Sequence, residues 1–246
     1  VATDFLHLVR LGLRDAHDPL VVDTLKVVDS QLKVDTPGGP VWHRYTGDGY
    51  GEHDDGSPFD GTGRGRAWPL LTGERGHYEL AAGHDPLPYL EAMCAMTGRC
   101  GLIPEQVWDT DALPERFLAP GKPTGSAMPL AWAHAEFIKL VASRALGRPF
   151  DRPEALWQRY RGRRPDPTHA IWTPRFQIAQ IRAGQSLNLF LPRPARVHYG
   201  FDGWQRVANI DTDDSGLAQY VARVPSTGSL TMGARVDFTF FWIDTD

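Results

Sequence analysis

Near Pro165 the chain changes its hydrophobic period, and that one switch most limits what it can fold into. Before it, apolar residues recur every three to four positions. After it, short β-branched and alternating runs take over. A stretch patterned for helices cannot present one apolar face as a strand, so the switch marks a boundary, placed between Arg161 and Thr168. The pattern predicts an α + β protein of two domains, a helical one over 1–164 and an all-β, sandwich-like one over 165–246, both of ordinary size.

Within the helical part, Phe5, Leu6, Leu8, Val9 and Leu13 form a first apolar stripe. Asp18-Pro19 reads as an N-cap with proline at the first helical position, followed by an apolar face of Leu20, Val21, Leu25, Val28 and Leu32. Periodicity then vanishes from Val34 to Arg66, a loop too long to be a plain connector and studded with Trp42, Tyr45, Tyr50 and Phe59. Helices are expected at 67–82, from His84 to Gly98, over 126–146 and near 153–160. The 126–146 helix is apolar enough to suit a buried position. A second long loop, Arg99 to Gly125, holds four prolines. The strands are expected at 171–181, 186–191, 196–201, 220–224 and 235–242.

Composition removes several classes. A net charge of −4 lends no support to a nucleic-acid partner or an anionic membrane surface, and no apolar run reaches the ~20 residues of a membrane span. Two cysteines cannot build a disulfide scaffold or a four-cysteine zinc site, and Cys94 and Cys100 read as free thiols more readily than as a bridge. The acidic loop residues Asp48, Glu52, Asp54, Asp55 and Asp60 lack the spacing of a calcium loop, and no His-x-x-x-His pair suggests zinc. No metal and no cofactor is therefore expected.

The segment Gly101-Leu-Ile-Pro-Glu105-Gln106-Val107-Trp108-Asp109 carries the chemistry. A Glu in a rigid proline-containing loop beside a Trp fits a base that positions water, because glycosidic hydrolysis uses paired carboxyls near aromatic faces. From the residues alone, a surface loop Glu with Trp108 as a core plug is the favoured reading.

Leu102-Ile-Pro-Glu-Gln-Val-Trp-Asp109 resembles the catalytic-base motif of glycoside hydrolase family 15, the glucoamylases and glucodextranases. The stretches Val41 to Glu52 and Gly65 to Glu79 resemble the bacterial members in the same order. The resemblance implies that Glu105 is the general base of an inverting hydrolysis, with Gln106 beside it. It implies that Arg44, Tyr50 and Trp68 bind the sugar and that Trp108 supports the base loop. Bland readings stand beside these: Arg44 paired with Asp48 or Glu52, and Tyr50 or Trp68 as plain core.

The family's catalytic domain is an (α/α)6 toroid whose general acid lies in its first half. About the last five toroid helices are expected here, followed by the β domain. The chain opens at Val1 without methionine, which suggests processing or derivation from something longer, and no Glu matches the acid motif. The expected protein is thus the base-bearing portion of an exo-acting α-glucosidase on α-glucans or maltooligosaccharides, inactive alone. It is expected to associate with the missing N-terminal half of the toroid or with itself, and to be secreted or periplasmic. The alternatives are α-1,6 (glucodextranase) specificity, or a non-catalytic sugar- or partner-binding fragment. In the β part, Trp204 beside Asp202 either stacks on a sugar or packs at a turn.

Overall fold

The computed structural model describes residues 1–163, 166–225 and 233–243. It divides into two units, Val1–Arg164 and Pro165–Asp246.

The first unit holds α1 (Leu6–Arg10), α2 (Pro19–Leu32), α3 (Pro69–Ala81), α4 (Leu87–Ala95), α5 (Ala131–Leu146) and α6 (Glu154–Tyr160). Asp18 caps α2 as its sequence suggests, its side chain accepting the Leu20 N–H at 2.9 Å. Val21, Val28 and Leu32 of α2 are buried, whereas Leu20 is exposed. Helix α3 sits at the centre of the unit, packing on α1, α4 and α5. Its glycines allow this: a Cβ on Gly73 would fall 2.7 Å from Glu136, and one on Gly76 would fall 2.6 Å from Leu140, both on α5. The main core joins Val28, Leu32, Trp42, Trp68, Leu70 and Met93.

Three expectations change. The stretch from Val34 to Arg66 is not one long loop, for it opens with a hairpin of β1 (Lys33–Thr36) and β2 (Gly39–Trp42). The periodicity missed it because the strands have only four residues each. The helix expected from 126 begins at Ala131, leaving Pro129 outside it. That helix is also not buried all round, since Trp132 and Ile138 are 60% and 66% exposed. Cys94 and Cys100 are exposed free thiols.

The second unit holds β3 (His169–Trp172), β4 (Ser186–Leu191), β5 (Ala195–Phe201), β6 (Arg206–Asp211), β7 (Asp213–Asp214), β8 (Tyr220–Val224) and β9 (Val236–Trp242). They form two sheets, ordered β3-β4-β8-β7 and β6-β5-β9. Leu187, Leu189 and Leu191 of β4 meet Ala195, Val197 and Tyr199 of β5 in one apolar core. Alternation along β5 therefore buries 195, 197 and 199 and leaves Arg196 and His198 on the other face. The strand expected at 171–181 reduces to β3, and β6 was not anticipated because its residues are almost all exposed and carry no apolar alternation. No helix among the described residues is long and apolar enough to cross a membrane.

Candidate active site

The segment bearing Glu105 is an extended strip held from both sides. The Val107 N–H donates to Ala67 O at 2.9 Å, while the Glu105 and Trp108 N–H groups donate to Ala127 O and Lys122 O at 2.8 and 2.9 Å. Ile103, Val107 and Trp108 are buried and anchor the strip, so the half-buried Glu105 has no freedom to swing with its backbone.

Behind the strip lies a group of charges that the sequence did not single out. The Arg66 guanidinium is fully buried and lies 4.0 Å from the Trp108 ring centroid. It donates to Asp109 Oδ1 at 2.8 Å, to Glu52 O at 3.0 Å and to His53 O at 2.8 Å. Asp109 accepts the Ala67 N–H as well, at 3.1 Å. A buried Arg with so many fixed acceptors ties three segments together, because leaving any of those donors unpaired in the interior is costly. Its only sequence signal was a cation between glycine and alanine in Gly65-Arg66-Ala67.

In front of the strip is a cavity of about 530 Å³ lined by Tyr50, Glu52, Phe59, Glu105, Gln106 and Ser126, among others. The Tyr50 hydroxyl donates to Glu105 Oε2 at 3.3 Å. Partial burial, and then the charge of Glu105, hold the Tyr50 phenol above its ordinary pKa, so it remains a donor. Gln106 is nearly fully buried, and its side-chain amide donates to Tyr50 O at 2.7 Å. Gln106 thus fastens the tyrosine to the strip.

Arg44 stands beside Tyr50. Its Nε and Nη2 donate to Asp48 Oδ2 and Oδ1, both at 2.8 Å, and its guanidinium lies 4.8 Å from the Trp68 ring and 5.1 Å from the Tyr50 ring. Burial alone would raise the Asp48 carboxyl, but hydrogen bonds from Arg44 and the Tyr50 N–H outweigh it and hold the group below its ordinary range. The pairing with Asp48 and a role toward a ligand are compatible, since Nη1 makes no hydrogen bond among the described residues.

Trp68, an expected sugar contact, does not line the cavity, and neither does Trp108, which was expected to support the base loop. Trp108 is fully buried, with its indole N–H donating to Asp111 O at 2.7 Å, and Trp68 is buried next to Arg44 and Tyr50 rather than on the cavity wall. Indole rings this large were taken by the local core and serve as backing.

Glu52, read from sequence as part of a solvated acidic loop, is buried in the wall. Its Oε1 accepts the Gly125 N–H at 2.6 Å, while Oε2 is buried without a hydrogen bond. Glu52 therefore clamps the 124–127 segment that also receives the Glu105 N–H. Glycines make the surrounding loops possible: a Cβ on Gly63 would overlap Gly51 O. Gly63→Ala is expected to cost about 1–3 kcal/mol of stability, as overpacking against backbone does, read as a lower midpoint in urea. An unchanged midpoint would contradict this close crossing.

Among the described residues no group of three or more His, Cys, Asp or Glu side chains converges as a metal site would. No family model matches the chain. A glucoamylase from Clostridium sp. (strain G0005) is 49% identical over 160 residues, 65% of this chain and 22% of that protein. The crystal structure of a bacterial glucoamylase complexed with acarbose matches with a TM-score of 0.60 at 51% identity, again over 65% of this chain and 22% of the other. About two thirds of this chain is thus similar to a segment of these glucoamylases, and it spans about a fifth of their length.

Proposed function

We propose that the first unit is the base-bearing portion of an inverting, exo-acting hydrolase of glucoamylase type, which releases glucose from the non-reducing ends of α-glucans. The observation that carries this reading is the Glu105 carboxylate, fixed on a doubly bonded strip at the wall of a sugar-sized cavity, with the Tyr50 hydroxyl on one of its oxygens. That hydrogen bond orients the carboxylate and occupies Oε2. Oε1 is left to take a proton from a water attacking the anomeric carbon.

Inversion needs a second carboxyl, protonated and about 6.5–9.5 Å away, to protonate the leaving oxygen. The other carboxylate on the cavity wall is Glu52, and it is committed to the Gly125 N–H inside the protein. The general acid is therefore assigned to a part of the toroid outside this chain, and the chain alone is expected to be inactive. The exposed apolar residues of α5, Trp132, Ile138, Val141 and Leu146, supply apolar surface for that part to cover.

The test is complementation. The chain is mixed with the acid-bearing N-terminal half of a bacterial glucoamylase, complex formation is followed by gel filtration, and glucose release from maltooligosaccharides is assayed. Recovered activity that disappears in Glu105→Gln supports the reading. A folded complex with no activity overturns it and leaves a non-catalytic sugar- or partner-binding segment.

In the active mixture, Arg44→Ala is expected to lower kcat/KM about 10²-fold with little change in thermal midpoint, since the uncommitted Nη1 would be lost from the substrate. An unaltered kcat/KM excludes that role.

A further inference from the structure

The end of the first unit gathers arginines that the proposed hydrolysis does not use. Arg148 and Arg152 precede α6, and Arg159, Arg161 and Arg163 lie at and just beyond its C-terminal end. Trp157 is the centre of the group. The Arg152 guanidinium lies 3.9 Å from the Trp157 ring centroid and that of Arg161 lies 5.9 Å from it, so two cations share one indole. The turn after α1 holds them from the other side. A Cβ on Gly12 would fall 3.1 Å from the Trp157 ring and 3.3 Å from Arg152 Cδ, and Gly12 O accepts the N–H of Gly162, the residue after Arg161, at 3.1 Å.

The charges here are left unmatched. Elsewhere in the unit Arg10, Arg44, Arg66, Arg75 and Arg144 each hold a carboxylate oxygen at 2.6–2.8 Å. Arg148, Arg152 and Arg161 make no salt bridge among the described residues, and Arg152 Nε is buried without a hydrogen bond. The neighbouring acids are committed. Asp151 is held by Arg10 and Lys139 at 2.9 and 3.0 Å, and Glu154 Oε1 accepts the Gln158 amide at 3.1 Å. Burial, and then the charge of Arg148 with that of Arg161 added, hold the Arg152 guanidinium below its ordinary pKa against the pull of Glu154. Like charges crowded in this way cost free energy, and the roughly half charge at the end of a helix cannot offset three guanidiniums.

An anion relieves the crowding. A guanidinium stacked on a ring keeps its N–H edge free, and that planar edge fits two oxygens of a phosphate at once. A carboxylate brings a single negative charge to three cations, whereas linked phosphates bring several within a few ångströms. The chain's net charge of −4 works against a long polyanion that would run past the patch, and so favours a compact one.

We propose that Arg148, Arg152 and Arg161, arranged around Trp157, form a binding site for a compact oligophosphate, a di- or triphosphate that is either inorganic or the tail of a nucleotide. None of these residues lines the Glu105 cavity, and the site does not rest on the hydrolase reading.

The full chain is titrated with tripolyphosphate, with magnesium-free ATP and, at matched ionic strength, with sulfate. The indole N–H signal of Trp157 is followed by NMR and the affinity by calorimetry. Saturable shifts of the Trp157 signal are expected with tripolyphosphate, at an affinity at least about tenfold above that for sulfate. Equal affinities for tripolyphosphate and ATP would place recognition in the phosphates alone, and tighter ATP would identify the nucleotide as the source; both support the site. Arg148→Gln and Arg161→Gln, at exposed positions, are each expected to weaken tripolyphosphate at least about fivefold with the circular-dichroism spectrum retained. Lys26→Gln, which removes an exposed cation from α2, is expected to leave the affinity unchanged. A Trp157 signal that stays still at millimolar tripolyphosphate overturns the site, and because it is read on the unaltered chain it does not depend on how the variants fold. Equal weakening by Lys26→Gln overturns it in favour of net charge alone, and equal affinity for sulfate overturns the phosphate assignment.

Discussion

Glu105→Gln is expected to lower glucose release by the complemented enzyme about 10³-fold, within the range that general-base catalysis supplies. Glutamine keeps the shape and an oxygen for the Tyr50 hydroxyl at Oε2, but it cannot take a proton from water. Stability should hardly move, because the strip that carries residue 105 is fixed by backbone bonds and by Ile103, Val107 and Trp108. The measurement is kcat/KM on maltooligosaccharides together with the thermal midpoint. Retained activity in Glu105→Gln would remove Glu105 from the chemistry. Loss of activity together with a large fall in midpoint would show that the residue acts through the fold.

The second large effect concerns a buried group of charges that joins the helices of the first unit. Arg10 on α1 is buried and donates to both oxygens of Glu136 on α5, at 2.7 and 3.1 Å, and to both oxygens of Asp151, at 3.0 and 2.9 Å. His77 on α3 places Nδ1 2.8 Å from Glu136 and Nε2 3.0 Å from Ser143 Oγ. Serine, histidine and glutamate follow one another here as in a nucleophile triad. All three are buried, and the Ser143 oxygen already accepts the Phe150 N–H at 2.7 Å, so no substrate reaches them. The group instead pins α1, α3 and α5 together.

Glu136→Ala leaves Arg10 with one carboxylate and His77 Nδ1 with only the Gly73 carbonyl oxygen, 3.1 Å away. It is expected to destabilise by about 3–5 kcal/mol, the cost of breaking a buried pair from one side. For a protein of this size that is a fall of roughly 10 °C in thermal midpoint.

The pH dependence follows. Burial alone would raise Glu136, but His77 and Arg10 outweigh it, and Arg10 and Lys139 do the same for Asp151, so both carboxyls titrate below their ordinary range. A carboxyl depressed in the folded state binds protons more weakly there than in the unfolded chain. Its contribution is present above the unfolded value near pH 4 and drains away as the pH falls below it. The midpoint of the unaltered protein should therefore drop more steeply on acidification than that of Glu136→Ala. Parallel slopes would show that the ion group is not linked to folding in this way.

Much of the candidate site was legible because its signals are local. Pro104 before Glu105, with Trp108 and Asp109 behind, identifies a rigid acid-bearing strip from a few adjacent residues, and Asp18-Pro19 identifies a helix start in the same manner. Glu52 and Arg66 were not legible. A buried acid among Asp54, Asp55 and Asp60 looks like its solvated neighbours until Gly125, 73 residues away, brings a backbone N–H to it. Arg66 likewise finds Asp109 across 43 residues. The hairpin β1–β2 escaped for a different reason: four-residue strands are too short for an alternation to stand out.

The sequence by itself determined which residues carry chemistry and where helical period gives way to strand period, since both are written in neighbouring side chains. The tertiary structure alone decided which way those side chains face. It turned Trp108 and Trp68 into buried backing, left Tyr50 on the cavity wall against Glu105, and set Trp204 against Gly200 and His198 while leaving it part-exposed. Burial and pairing depend on contacts between segments tens of residues apart, and no local period records them.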